Sequence, residues 1–359
     1  MGTFRTLLAL AVVVTHIPLG IALVGGRNAV QAFYMISGFL ISYVITNTPA
    51  YANPVKFLEN RVLRLFPVYY AVLGVSLIAS ILNPKFWENV NSMPAFAKLF
   101  GLIVNVTIVG QDWTEFLMFS DGGIHLVRSL SQSGLTMAEA LLVKPSWTLG
   151  VELSFYLIAP FIIRAPKRLI CLFALSITAR LAAIAAGFGL MDPWTYRFFP
   201  FELALFIAGV FSHQYLLPRA ERIDQSGMGK TVSPITLVAV LLFSLGYSIV
   251  PLEDWAKTAL FLTITFAALP FLFVFQSSSA IDRSIGELSY PLYISHYLVM
   301  MAFNLLIKKA SFSQTQQTLL WAICLVTCLI VAYLLKLMIS DRIEIYRRKI
   351  RVSLPAPAR

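Results

Sequence analysis

Long apolar runs alternate with short polar stretches along almost the whole chain, on the length scale of helices. A bilayer core of about 30 Å takes about 20 apolar residues in helical form. By that measure the runs near 4–25, 29–47, 66–83, 147–164, 169–190, 198–217, 232–250, 256–275, 288–307 and 316–338 each predict a membrane-spanning helix. One further run, AFAKLFGLIVNVTIVG at 95–110, has only sixteen residues and contains Lys98 and Asn105. Whether it crosses decides which face everything after it occupies.

Basic residues settle that choice, because lysine and arginine gather on the cytoplasmic side. With ten spans and a cytoplasmic start, 17 basic residues fall inside and 9 outside. If 95–110 crossed, the RAPKR cluster at 164–168 and the basic tail DRIEIYRRKIR would lie on opposite faces. The expected architecture is therefore all-α and polytopic, with about ten transmembrane helices and both termini cytoplasmic. Residues 1–340 form the transmembrane domain. Within it, 84–146 is one external loop whose apolar part is interfacial or re-entrant, and 341–359 is a basic tail resting on the anionic inner leaflet.

Composition agrees with that class. The chain has 359 residues, 58% hydrophobic and 13% charged, with a mean hydropathy of +0.78; soluble domains run about 45–50% apolar and about 25% charged. The net charge of +11 sits between apolar spans, so it reports topology and points away from nucleic acid. Cys171, Cys324 and Cys328 all lie in apolar runs and read as small packing residues. No CxxC or Cys/His cluster occurs, so neither a disulfide framework nor a metal site is expected. Residues 1–25 lack a convincing cleavage site and carry His16, which makes them a first transmembrane helix and not a signal peptide.

Ionisable groups at bilayer depth are costly, and each is a candidate for function. Arg5 and His16 are eleven residues apart, three turns plus about 20°, so both project from one face of the first helix about 16 Å apart. His16 is either satisfied by a neighbouring helix or a general base working near neutral pH. Glu152, in KPSWTLGVELSFYLIAPFI, is either a structural partner for Arg180 or a carboxylate that orients and charges a histidine. Arg180, mid-span, must pair internally or hold an anion. Ser289, Tyr293 and His296 follow at i, i+4 and i+7 and form a polar stripe, either interhelical packing or a substrate-lining wall. Lys56, Arg61 and Arg64 precede the third span, where positive-inside topology and a phosphate-binding mouth both account for them.

Five segments together resemble acyltransferase family 3, the bacterial membrane O-acyltransferases of sugars and polysaccharides. The basic-x10-His element matches Arg5 and His16. GGRNAVQAFYMISGFLIS is similar to the family's glycine-rich stretch, although Gln31 stands where members often have an acidic residue. LENRVLRLFPVYY resembles its R-x-x-R element at Arg61, Arg64 and Pro67. SWTLGVELSFYLIAP resembles its W-S/T-L-x-x-E-x-x-F-Y element at Trp147, Glu152, Phe155 and Tyr156. IGELSYPLYISHYLV resembles the late element at Gly286, Ser289, Tyr290, Tyr293 and His296. The resemblance lacks the periplasmic esterase-like domain fused to some members.

That resemblance implies transfer of an acyl group, commonly acetyl from acyl-coenzyme A, to a carbohydrate hydroxyl in the bacterial cytoplasmic membrane. On this reading His16 takes the hydroxyl proton and Glu152 stabilises the imidazolium. Arg180 or a tyrosine holds the oxyanion. Lys56, Arg61 and Arg64 take the coenzyme A phosphates, while Arg5, Trp147, Ser289, Tyr293 and His296 line the path. Transfer through an acylated His16 stays equally open. The competing classes are a secondary transporter, which should show inverted repeats or matching broken helices, and a lipid-linked glycosyltransferase. The latter would need carboxylates in DxD spacing, and Asp112, Glu115 and Asp121 do not supply it.

Overall fold

The computed structural model of the protein describes residues 1–120, 123–127, 134–188, 192–309 and 312–352. Asp121 and Arg128 of the expected external loop, and the tail from 353 onward, lie outside them. Among the described residues sixteen α-helices follow in chain order: α1 Gly2–His16, α2 Gly25–Asn47, α3 Pro54–Ser80, α4 Pro84–Ser92, α5 Ala95–Thr107, α6 Trp147–Ile162, α7 Pro166–Ala183, α8 Trp194–Arg197, α9 Phe199–Phe211, α10 Leu217–Gln225, α11 Gly229–Leu245, α12 Asp254–Ser278, α13 Ala280–Gly286, α14 Ser289–Lys309, α15 Gln314–Leu335 and α16 Asp341–Val352. Seven helical runs among the described residues are long and apolar enough to cross a membrane. α1, α5 and α11 are shorter apolar helices.

The first helix corrects the expected span of 4–25. α1 ends at His16, so that residue stands at a helix terminus, exposed, and not in the middle of a continuous rod. The cause is Pro18, whose ring drives the preceding residue out of the helical region. Ile17 is extended at φ −104° and ψ 130°, and Gly20 follows in the left-handed region at φ 69°.

The chain divides into two compact units, one of Met1–Pro49 with Leu205–Arg359 and one of Ala50–Ala204. In the first, α1 packs on α2, α13 and α14, α14 on α15, and α12 on both α11 and α2. Two glycines permit a backbone-to-backbone crossing. A Cβ at Gly38 of α2 would overlap the Phe206 carbonyl of α9, and one at Gly209 would overlap the Met35 carbonyl. Small residues allow this approach where apolar solvent gives helices no hydrophobic reason to associate. Lys336, inside a span by sequence, is buried between Glu287 and Asp341 at 3.1 and 3.0 Å. Cys324 and Cys328 are buried as expected.

In the second unit α3 packs on α6 and α4, and α6 on α7 and α8. Asn53 caps α3 by accepting from the Val55 amide at 2.9 Å, with Pro54 at the first helical position. The fold is helical as expected, and among the described residues the 84–146 segment adds three short antiparallel strands. They are β1 Leu117–Ser120, β2 Gly123–Leu126 and β3 Leu135–Thr136, in the order β2-β1-β3. Met93, Ala97, Met137 and Ala140 form a small core beneath them, with Phe100, Leu117 and Phe119 packed against it. Cys171 on α7 is exposed, which departs from the packing role expected of it.

Candidate functional site

The two units each assemble part of the residue set picked out from the sequence. In the first, the joint between α1 and α13 sets the geometry. Asp282 accepts from the Gly2 and Thr3 amides at 2.7 and 2.8 Å and from the Thr3 hydroxyl at 2.6 Å, capping α1 with a carboxylate from another helix. Thr6 donates to the Ile285 carbonyl at 2.7 Å. From this joint α1 and α14 run in the same direction, and nearly four turns along α1 the His16 ring stacks against His296. Their centroids are 5.5 Å apart and the planes lie at 21°. Arg5 remains half-buried on the second turn, at the opposite end of the helix from His16.

His296 is 0% exposed. Its Nδ1 lies 2.6 Å from the Tyr293 carbonyl oxygen. A carbonyl only accepts, so Nδ1 carries the proton and Nε2 presents its lone pair. Nε2 has no hydrogen-bond partner among the described residues. Tyr293 lies 6.0 Å from the His296 ring and 6.2 Å from Phe33, so it packs beside the imidazole pair. Ser289 donates to the Gly286 carbonyl at 2.8 Å and is buried, which makes it a fastening of the α13–α14 turn. The stripe expected along α14 thus splits into one fastening residue and two residues at the imidazole pair.

In the second unit Glu152 accepts from the Tyr156 hydroxyl one turn along α6. Arg61 lies 2% exposed, with its guanidinium 5.4 Å from the Phe57 ring centroid and 5.9 Å from that of Tyr156. Arg64 also acts electrostatically on Tyr156. Glu152, Arg61 and Arg64 therefore all act on Tyr156, which makes the four residues one cluster. Lys56 does not join it: it pairs with Glu59 at 3.2 Å on the surface. Its separation of five residues from Arg61 turns it about 140° away around the helix.

Arg180 pairs with Glu202 at 3.0 Å and also donates to the Thr195 carbonyl at 3.1 Å. Glu202 is 0% exposed. Of the two roles open from sequence, the structure gives Arg180 an internal partner, and that partner is not Glu152. Trp147 holds another cation. The Arg197 guanidinium lies 4.2 Å above its indole while forking onto Asp192 at 2.6 and 2.8 Å and reaching Glu115 at 2.9 Å.

Sequence reasoning passed over Glu202, Arg197 and a second buried imidazole. Ser42 on α2 lies 2.8 Å from Nδ1 of His213, whose ring sits edge-on to Phe39 and Tyr43. The signal was available: Glu202 and His213 each interrupt an apolar run, the same criterion that singled out His16 and Glu152.

A family model described as an acyltransferase domain, Acyl_transf_3, matches residues 2–337. No curated protein and no solved structure shows a match. The matched region takes in the basic-x10-His pair, the Arg61–Arg64 element, the Trp147–Tyr156 element and the His296 element together, and the chain belongs to acyltransferase family 3.

Proposed function

We propose that this membrane acyltransferase moves an acyl group, acetyl in the first instance, from a cytoplasmic acyl-coenzyme A to a hydroxyl of a carbohydrate or glycoconjugate. The bacterial cytoplasmic membrane is the setting this reading assigns. The observation that carries it is the stack of His16 on His296. His16 is exposed at the end of α1, which suits a base that must meet a polar acceptor. It removes the hydroxyl proton as the oxygen attacks the thioester carbonyl. The C–O bond forms, the C–S bond breaks, and the proton passes from the imidazolium to the departing thiolate. Products are the ester and free coenzyme A. A general base at this step is worth typically 10²–10⁴-fold.

The cationic residues supply the other requirement. Coenzyme A carries several phosphates, and this reading assigns them Arg61 and Arg64, with Lys56 a separate surface cation outside that cluster. Glu152 limits the net charge of the arginine cluster, and its hydrogen bond from Tyr156 fixes its orientation. Arg180 is already matched by Glu202, so its part in the reaction is to keep the α7–α9 region in place.

The test is transfer of labelled acetyl from acetyl-coenzyme A by purified full-length protein in lipid nanodiscs, with a hydroxyl-rich glycan as acceptor. Wild type should release one coenzyme A per ester formed, and His16→Ala should lose at least 100-fold in kcat while remaining folded. Ester formation at near-normal rates by His16→Ala would remove His16 from the reaction. No transfer from any acyl-coenzyme A, with glycan flux across vesicles instead, would replace the enzyme by a transporter.

A further inference from the structure

The segment between α4 and β1 shows a topology that hydropathy alone leaves undecided. α5 has 13 residues, a length of about 20 Å, too short for a bilayer core of about 30 Å. The helix before it and its own C-terminal end are tied to different levels of the same spanning helix, α3. At the start, α4 is anchored where the Trp87 indole donates to the Ser80 carbonyl at 3.1 Å, at the last residue of α3. At the finish, the Tyr69 and Tyr70 hydroxyls of α3 donate to the Asn105 and Val106 carbonyls at 2.6 and 2.8 Å. Tyr70 and Ser80 are ten residues apart, about 15 Å along the helix. α5 therefore descends beside α3 from its outer end toward its middle.

The chain then turns back. Ile108 ends α5 in the left-handed region at φ 64°, and Gly110 follows at φ 83°. Residues 111–116 lead into β1, whose Phe119 packs 6.1 Å from Phe96 at the beginning of α5. Descent and return start and finish at one level. The burial pattern fits hydrocarbon around the descending arm. α5 turns Ala97, Gly101, Val104 and Asn105 inward and leaves Phe96, Leu99, Leu102, Ile103 and Val106 exposed. In the irregular return arm Gln111, Asp112, Thr114, Glu115 and Phe116 are buried, and Trp113 alone of residues 111–116 is exposed. Non-helical backbone is tolerated at membrane depth only where protein encloses it, whereas a helix satisfies its own amides against lipid.

We propose that residues 95–116 form a re-entrant membrane segment that enters and leaves on the face opposite the Lys56–Arg64 end of α3, with the outer side of α5 against lipid acyl chains. The tip brings Asp112 against α6, where a Cβ on Gly150 would lie 3.0 Å from the Asp112 Oδ1. The turn of the Trp147–Tyr156 element is thus floored by this segment.

The experiment uses the full chain with Cys171, Cys324 and Cys328 replaced by alanine, reconstituted in sealed vesicles. Lys85→Cys and His125→Cys flank the segment at exposed positions. A membrane-impermeant maleimide should label both from the same side. Fluorophores at Phe96→Cys, Leu102→Cys and Val106→Cys should be quenched by spin-labelled lipids in graded fashion. The shallow label should act several-fold more strongly at 96 and the deep label several-fold more strongly at 106. Labelling of 85 and 125 from opposite sides makes the segment a span and overturns the proposal. Equal shallow quenching at all three positions makes it an interfacial helix and overturns it as well. Neither readout depends on acyl transfer.

Discussion

Gly2 and Gly286 meet backbone to backbone: a Cβ on Gly286 would lie 2.5 Å from the Gly2 Cα and 3.3 Å from its carbonyl carbon. Nothing at the end of a flexible side chain is available to yield there. This contact, together with the Asp282 cap, fixes where α1 begins relative to α14, and hence which residue of α1 stands beside His296 nearly four turns later.

Gly286→Ala should therefore force the α1–α13 joint apart. Overpacking of this kind costs about 1–3 kcal/mol, read as a fall of several degrees in the unfolding temperature of the detergent-purified protein. Asp282→Ala should cost about 1–2 kcal/mol by removing the cap. An unchanged unfolding temperature in both variants would mean that the joint does not set the register of α1.

The pairing of half-buried Arg180 with fully buried Glu202 makes a double-mutant cycle informative. Removing one partner leaves an uncompensated buried charge, which costs about 3–5 kcal/mol, whereas replacing both by apolar groups is often nearly neutral. Arg180→Met alone should be strongly destabilised. Arg180→Met with Glu202→Leu should recover most of the loss in thermal unfolding, and acyl transfer should return with it. Recovered folding without recovered transfer would give Arg180 a direct part in holding the anionic transition state.

Much of the fold was legible because lipid imposes a simple rule. Runs such as 29–47 and 256–275 return as α2 and α12 nearly residue for residue, since a backbone with no water to bond must become helix. The first run was misread because hydropathy does not register Pro18, although the residue itself marks the break. The partners of Arg180 and Trp147 were not legible. Glu202 lies twenty-two positions from Arg180, and Arg197 fifty from Trp147, and only tertiary packing chooses among carboxylates and cations at such separations. For His16 and His296 the sequence supplied both residues but no measure that links α1 to α14.

That link carries a kinetic prediction. With Nδ1 held by the Tyr293 carbonyl, His296 has one orientation and a fixed tautomer, so its ring is a rigid platform for His16. His296→Gln should lower kcat about 10-fold or more and weaken the effect of a further His16→Ala, because residues that act as a unit are non-additive. Thermal unfolding separates this from simple loss of structure. Strictly multiplicative effects of the two substitutions would mean that the stack is packing alone.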